Sequence, residues 1–156
     1  MATPADGFLI EAITREIWTP RVAPPSTVYS ETAESVTRQL KAGGGVVVLD
    51  GDRVIGSGRW VSVGGPTAAP DERWMEIKRI GVTPEYTGLG LGARVTQALE
   101  DQGRTAGCVG AQLAVRFDQT RLVDFYTTLG YGLAGDVQLT TVNPHTPPPI
   151  GMRKWF

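Results

Sequence analysis

Thr87-Gly88-Leu89-Gly90-Leu91-Gly92 sets three glycines at alternate positions just ahead of an amphipathic run. Glycine lets an anion approach the backbone with no Cβ in the way. A helix that begins in such a turn offers unpaired amide N–H groups and the positive end of its dipole. The chemistry this spacing suits is the holding of a phosphate or diphosphate. Other reactive residue types are sparse. Cys108 is the lone cysteine, so an internal disulfide is excluded and a cysteine metal site is not expected. It follows Gly107 at the start of an apolar run, as a small buried residue would. His145, the only histidine, lies in the loop Asn143-Pro-His-Thr-Pro-Pro-Pro149, which argues against a histidine metal cluster. No metal is expected.

The glycine turn needs elements on both sides to hold it. The stretch from Glu76 to Val82 reads as a strand, with Glu76, Lys78, Ile80 and Val82 on one face and Ile77, Arg79 and Gly81 on the other. Pro84 stops it, because proline cannot donate to a sheet ladder. After the turn, Leu91, Val95, Ala98 and Leu99 recur at helical spacing, and Gly107 ends the pattern. Val109–Arg116 then reads as a second strand. A strand–helix–strand unit requires parallel pairing through a right-handed crossover.

The flanks follow the same rules. Thr3-Pro4-Ala5-Asp6 is a helix start, with Leu9, Ala12, Ile13 and Ile17 on the apolar face and Pro20 beyond the end. Residues 19–29 form a proline-stiffened loop, and Ser30-Glu31 opens a second helix that runs to Ala42 and leaves through Gly43-Gly44-Gly45. Val46–Leu49 and Val54–Val63 pair through the turn Asp50-Gly51-Asp52-Arg53, with Gly56 and Gly58 marking a bulge or a close backbone approach. Asp118 is placed as N-cap of a helix through Leu129, and Val137–Val142 and Ile150–Phe156 read as two closing strands. The order ααββ, βα, βα, ββ implies an α/β (α+β) fold, a mixed central sheet flanked by helices.

The chain has 156 residues, 15 basic and 16 acidic, which bounds it to one domain over 1–156 with no electrostatic footprint for nucleic acid. No apolar run approaches the roughly 20 residues of a membrane helix, and no signal-peptide pattern opens the chain. A soluble, cytoplasmic protein without a membrane partner is expected.

Two segments carry a family resemblance. Val82-Thr-Pro-Glu-Tyr-Thr-Gly-Leu-Gly-Leu-Gly-Ala93 resembles the acetyl-CoA motif of the GNAT superfamily of N-acyltransferases. Leu122-Val-Asp-Phe-Tyr-Thr-Thr-Leu-Gly-Tyr131 is similar to that family's second motif, and the two lie one strand and one helix apart. The resemblance covers roughly residues 5–156. It implies a GNAT-like acyltransferase fold and an acetyl-CoA-dependent N-acetyltransferase that transfers acetyl to a primary amine, by direct attack in a ternary complex.

By this resemblance the CoA pyrophosphate rests on Thr87, Gly88, Leu89, Gly90, Leu91 and Gly92, with Ala93 closing the motif. The pantetheine arm runs between splayed strands against the backbone of Ile80, Gly81 and Val82, opposite Leu113 and Ala114. Gln119 stands where the family often has an asparagine touching the CoA arm. Thr87 replaces the usual Arg or Gln and brings no charge; Arg94, one turn on, is a candidate replacement. Tyr126 matches the tyrosine that protonates the departing thiolate, and Glu76 the glutamate that some members use as base. Pro24-Pro25 and Tyr29 fall beside the acceptor site. Acceptors are small-molecule or peptide amines. The family's first strand has no room before Thr3, so it is expected to be missing, leaving a sheet edge that a homodimer could cover.

Two other functions fit parts of the pattern. A non-catalytic acyl-CoA sensor needs only the cradle. A nicotinamide dinucleotide enzyme fits Gly88-x-Gly90-x-x-Ala93, but that fingerprint wants an apolar strand before it and an acid about 20 residues on. Here Glu76, Lys78 and Arg79 interrupt the strand, and Asp118 comes too late.

Overall fold

The computed structural model describes residues 1–156. Its elements are helices α1 (Gly7–Trp18), α2 (Ala33–Ala42), α3 (Leu91–Thr105) and α4 (Arg121–Thr128), and strands β1 (Gly43–Asp50), β2 (Arg53–Gly64), β3 (Arg73–Val82), β4 (Gly110–Val115), β5 (Gly132–Leu133) and β6 (Ile150–Trp155). They build one six-stranded sheet in the order β1-β2-β3-β4-β6-β5, and the sheet is mixed, as the pattern implied. No strand precedes α1, and β1 is an edge whose Gly45 carbonyl accepts hydrogen bonds from Ala2 N–H and Gln102 Nε2. No helix is long and apolar enough to cross a membrane.

Helices cover both faces. α3 packs on β1 to β4, and α1 and α2 pack on the opposite side of β1 to β3. The larger core lies under α3 and α4, where Met75, Ile77, Val95, Leu99, Tyr126 and Tyr131 meet. A smaller one joins Ile10 of α1 to Val36 and Leu40 of α2.

Several boundaries moved, each for a local reason. The three glycines 43–45 do not form a helix exit; they open β1, where a Cβ on Gly43 would sit 2.1 Å from the Trp60 carbonyl. α2 starts after Thr32, not Ser30, because Thr32 and Ser35 exchange reciprocal cap bonds and Glu31 is drawn inward to Arg59. Asp118 pairs with Arg116 instead of capping, and α4 begins at Arg121. The Val137–Val142 strand does not form. β6 already has β4 and β5 on its two sides. Side chains satisfy this segment instead: Glu76 accepts from Thr140 N–H at 2.8 Å, and Gln112 donates to the Gln138 carbonyl at 2.8 Å. Satisfied backbone groups remove the drive to find a ladder partner.

Two irregularities in β3 prepare the site. First, Arg79 and Ile80 together face Gly58 of β2, since the register passes from Arg59–Lys78 to Ser57–Gly81. This is a β-bulge, and it reverses the alternation expected for the strand. Ile80 joins Ile77 on the α3 face, against Val95 and Leu99. Arg79 turns to the α1 side and donates to Thr27 Oγ1 at 2.7 Å. Second, β3 and β4 pair only at Trp74–Gly110, Met75–Ala111 and Glu76–Gln112. Beyond that β4 stays with β6 and the two parallel strands part.

Candidate active site

The parting of β3 and β4 opens a cavity of about 1140 Å³. Ile80, Gly81 and Val82 form one wall, Leu113 and Ala114 the other, and the turn Thr87–Ala93 closes one end. The turn is built by left-handed backbone at Gly88 (φ 86°) and Gly90 (φ 74°). A Cβ at either meets nothing within 4 Å, so conformation, not space, demands glycine there. From Gly88 to Ala93 no amide N–H finds a backbone acceptor; the ladder resumes with Arg94 N–H to the Gly90 carbonyl. The Thr87 amide, expected among these donors, is consumed by the Pro84 carbonyl at 3.1 Å, leaving Thr87 only its hydroxyl. Leu89 points its side chain to solvent and can contribute only its amide.

Thr87 carries no charge, and the cavity wall has cations of its own. Arg94 is exposed and outside the cavity wall, whereas Arg21 and Arg121 are in it. Arg21 donates to the Val82 carbonyl at 2.9 Å. Its pKa is lowered by burial and by the repulsion of Arg121. Neither arginine has a carboxylate partner. Gln119 is in the wall, and its Oε1 accepts from Arg121 at 3.4 Å. The six unpaired amides and two unpaired cations make an anion site that fits a diphosphate. The pyrophosphate of CoA matches that donor set.

Tyr126 lies at the floor, 9% exposed, edge-on to Phe125 and Tyr131. Burial alone pushes its phenol up to about 12, with no charged neighbour involved. Glu76 is elsewhere. It is 3% exposed and absent from the cavity wall. Its Oε1 takes Lys78 Nζ at 2.6 Å and Thr140 Oγ1 at 2.9 Å, and its Oε2 takes Thr140 N–H. Expected as a base, Glu76 is placed as the tether of the 134–149 loop. That loop crosses the cavity and reaches the 19–30 loop through Asn143 Nδ2 to the Pro25 carbonyl at 3.1 Å. Pro25 and Tyr29 are thus close to the cavity without lining it, and His145 also stays outside. Cys108 is buried away from the cavity, and burial raises its thiol pKa.

Sequence reasoning missed Arg21, Arg79, Arg121 and Trp18 as wall residues. A bulge decides where Arg79 points, and loop packing decides Arg21. Neither leaves a periodic signal.

Known proteins agree with this architecture. Residues 10–131 match the model of the acetyltransferase (GNAT) family. A curated relative, the uncharacterized N-acetyltransferase YjcF of Bacillus subtilis, is 29% identical over 101 residues, which span 64% of this chain and 64% of YjcF. The PaiA N-acetyltransferase of Thermoplasma acidophilum, solved in complex with coenzyme A, superposes with a TM-score of 0.74 at 15% identity, covering 99% of this chain and 96% of that one. Naa50 of Arabidopsis thaliana, solved with the bisubstrate analogue CoA-Ac-MVNAL, gives 0.67 at 16% identity over 94% and 93%. The chain belongs to the GNAT acetyltransferase family.

Proposed function

We propose that residues 1–156 form a single catalytic domain that transfers acetyl from acetyl-CoA to a primary amine by direct attack in a ternary complex. The observation that carries this is the uninterrupted run of unpaired amides, Gly88 to Ala93, at one end of the slot between β3 and β4. Each hydrogen bond to a phosphate contributes about 1.5–3 kcal/mol, so several suffice for micromolar binding after ordering costs. Arg21 and Arg121 add charge at that end. The slot walls hold the pantetheine arm at Ile80–Val82, and Gln119 adds a polar contact.

In the reaction the amine lone pair attacks the thioester carbonyl carbon, the C–S bond breaks, and the amine proton passes to solvent. Tyr126 faces the slot as a donor to the departing sulfur. Moving its proton to a thiolate of pKa near 8.5 would cost about 5 kcal/mol from a phenol near 12. Tyr126 therefore stabilises the thiolate by hydrogen bonding, and water supplies the final proton. Cys108 is buried outside the slot, so no covalent acyl-enzyme forms on it.

The cavity wall contains no Asp, Glu or His. Deprotonation of the amine then rests on its own pKa, which arginines in the wall lower by repulsion. The same lack of a base favours a second reading, an acyl-CoA sensor that transfers nothing. Calorimetric titration with acetyl-CoA, followed by thiol release with an amine panel, separates the two. Binding with amine-dependent thiol release is expected. Binding with no thiol release from any amine leaves the sensor, and no binding removes both.

A further inference from the structure

The wall of the cavity carries four arginines, Arg21, Arg79, Arg116 and Arg121, and not one carboxylate. Arg116 is neutralised by Asp118. Arg21 and Arg121 lie at the phosphate end: Arg21 holds the Val82 carbonyl, and Phe125, one turn after Arg121 on α4, lies against Gly92 of the cradle, 3.4 Å from where its Cβ would be. Arg79 is different. It stands three residues back along β3, roughly 10 Å from Val82 at ordinary strand rise, beside Thr27 and under the loop that carries Thr141 and Asn143. The bulge turns it toward this end, and it holds a left-handed φ of 55° that non-glycine residues rarely adopt.

The neighbouring acid does not neutralise this end. Glu31 pairs with Arg79 at 3.7 Å but also with the fully buried Arg59, so two guanidinium groups share one carboxylate. Glu76 is bound by Lys78 and Thr140. The indole N–H of Trp18, buried at the same wall, donates to nothing. A second ammonium group placed here would meet net positive charge, and the unpaired Glu31 Oε2 is buried outside the cavity wall. A carboxylate would meet the Arg79 guanidinium, with the unpaired Trp18 N–H beside Gly81, two residues along β3.

Resting on the transferase reading above, we infer that the acceptor is an amine bearing its own carboxylate near the reacting nitrogen, an α- or β-amino acid, with Arg79 holding the carboxylate. Diamines, polyamines and other polycations are disfavoured by the same charge.

The test measures kcat/KM for thiol release with α- and β-amino acids, their carboxamides and length-matched diamines, alongside acetyl-CoA Kd. The carboxamides have the more acidic ammonium, which works against the proposal. The amino acids should exceed their amides and the diamines by on the order of tenfold or more, as a charged hydrogen bond is worth. Arg79→Asn keeps a residue that tolerates left-handed backbone and removes the charge. It should erase most of that preference while acetyl-CoA Kd stays within about twofold. Equal or better turnover of amides or diamines, or a preference unchanged in Arg79→Asn, overturns the assignment of the acceptor alone. Acetyl-CoA binding without thiol release from any acceptor overturns the transferase reading and this inference with it.

Discussion

Replacing Gly90 with valine separates the cradle from the fold that carries it. Gly90 has φ 74°, and a Cβ there would touch nothing within 4 Å. The substitution therefore costs no overlap, only conformation. A β-branched residue in left-handed backbone costs roughly 1–2 kcal/mol. If the turn resists, that cost appears as stability, a fall in Tm of about 2–8 °C for a chain of this size. If the turn relaxes, φ leaves the left-handed region and the amides of Gly88 to Ala93 no longer converge. Losing one charge-assisted hydrogen bond raises the acetyl-CoA Kd by about tenfold to 150-fold. Relaxation is the expected course, because Gly88 to Gly90 are exposed and their amides hold no backbone bond. Gly132→Val is the control, since its Cβ also meets nothing within 4 Å and its φ is ordinary. Calorimetry and thermal melts on both variants read the two quantities. An unchanged Kd and an unchanged Tm in Gly90→Val would refute the reasoning about the turn.

Tyr126→Phe should lower kcat by about tenfold to a hundredfold, the value of one donor to developing charge, with acetyl-CoA Kd unchanged; equal loss in both would make Tyr126 a packing residue. The Tyr126 phenol is raised in the fold from 10.0 to about 12, so its contribution is full below pH 10 and is lost as pH rises to 12. Wild type should thus lose about 2–3 kcal/mol of stability across that window that Tyr126→Phe does not lose, as alkaline denaturant titrations would show. Glu76→Gln should leave the pH profile of kcat/KM in place, following the pKa of each acceptor; a kcat loss of a hundredfold or more with disappearance of the acid limb would restore Glu76 as base. Arg21→Gln and Arg121→Gln should each weaken acetyl-CoA by about fivefold to tenfold at low salt and less at high salt; no change in either would show that the phosphates rest on the amides alone.

The sequence made the frame of this site legible because strong local rules act there. Alternate glycines before an amphipathic run can mean little but a helix start with free amides, and Gly88 and Gly90 adopt left-handed backbone in that role. The parallel β3–α3–β4 unit followed from length and periodicity. Charge placement did not follow. The bulge at Arg79–Ile80 inverts a face that strict alternation assigns, and no residue type announces it. Residues 137–142 have the composition of a strand, yet Glu76 and Gln112 satisfy their backbone from the side. The same contacts take Glu76 out of the cavity. Arg21 reaches the site from a proline-rich loop whose path depends on packing against the sheet end.

The central claim, transfer of acetyl from acetyl-CoA to an amine, is tested most directly by counting both products in one reaction. Thiol release and acetylated amine, quantified together with an amino acid acceptor, should rise one for one and should fall together in Tyr126→Phe. Thiol release without acetylated amine, or acetyl-CoA bound and never cleaved, would contradict it.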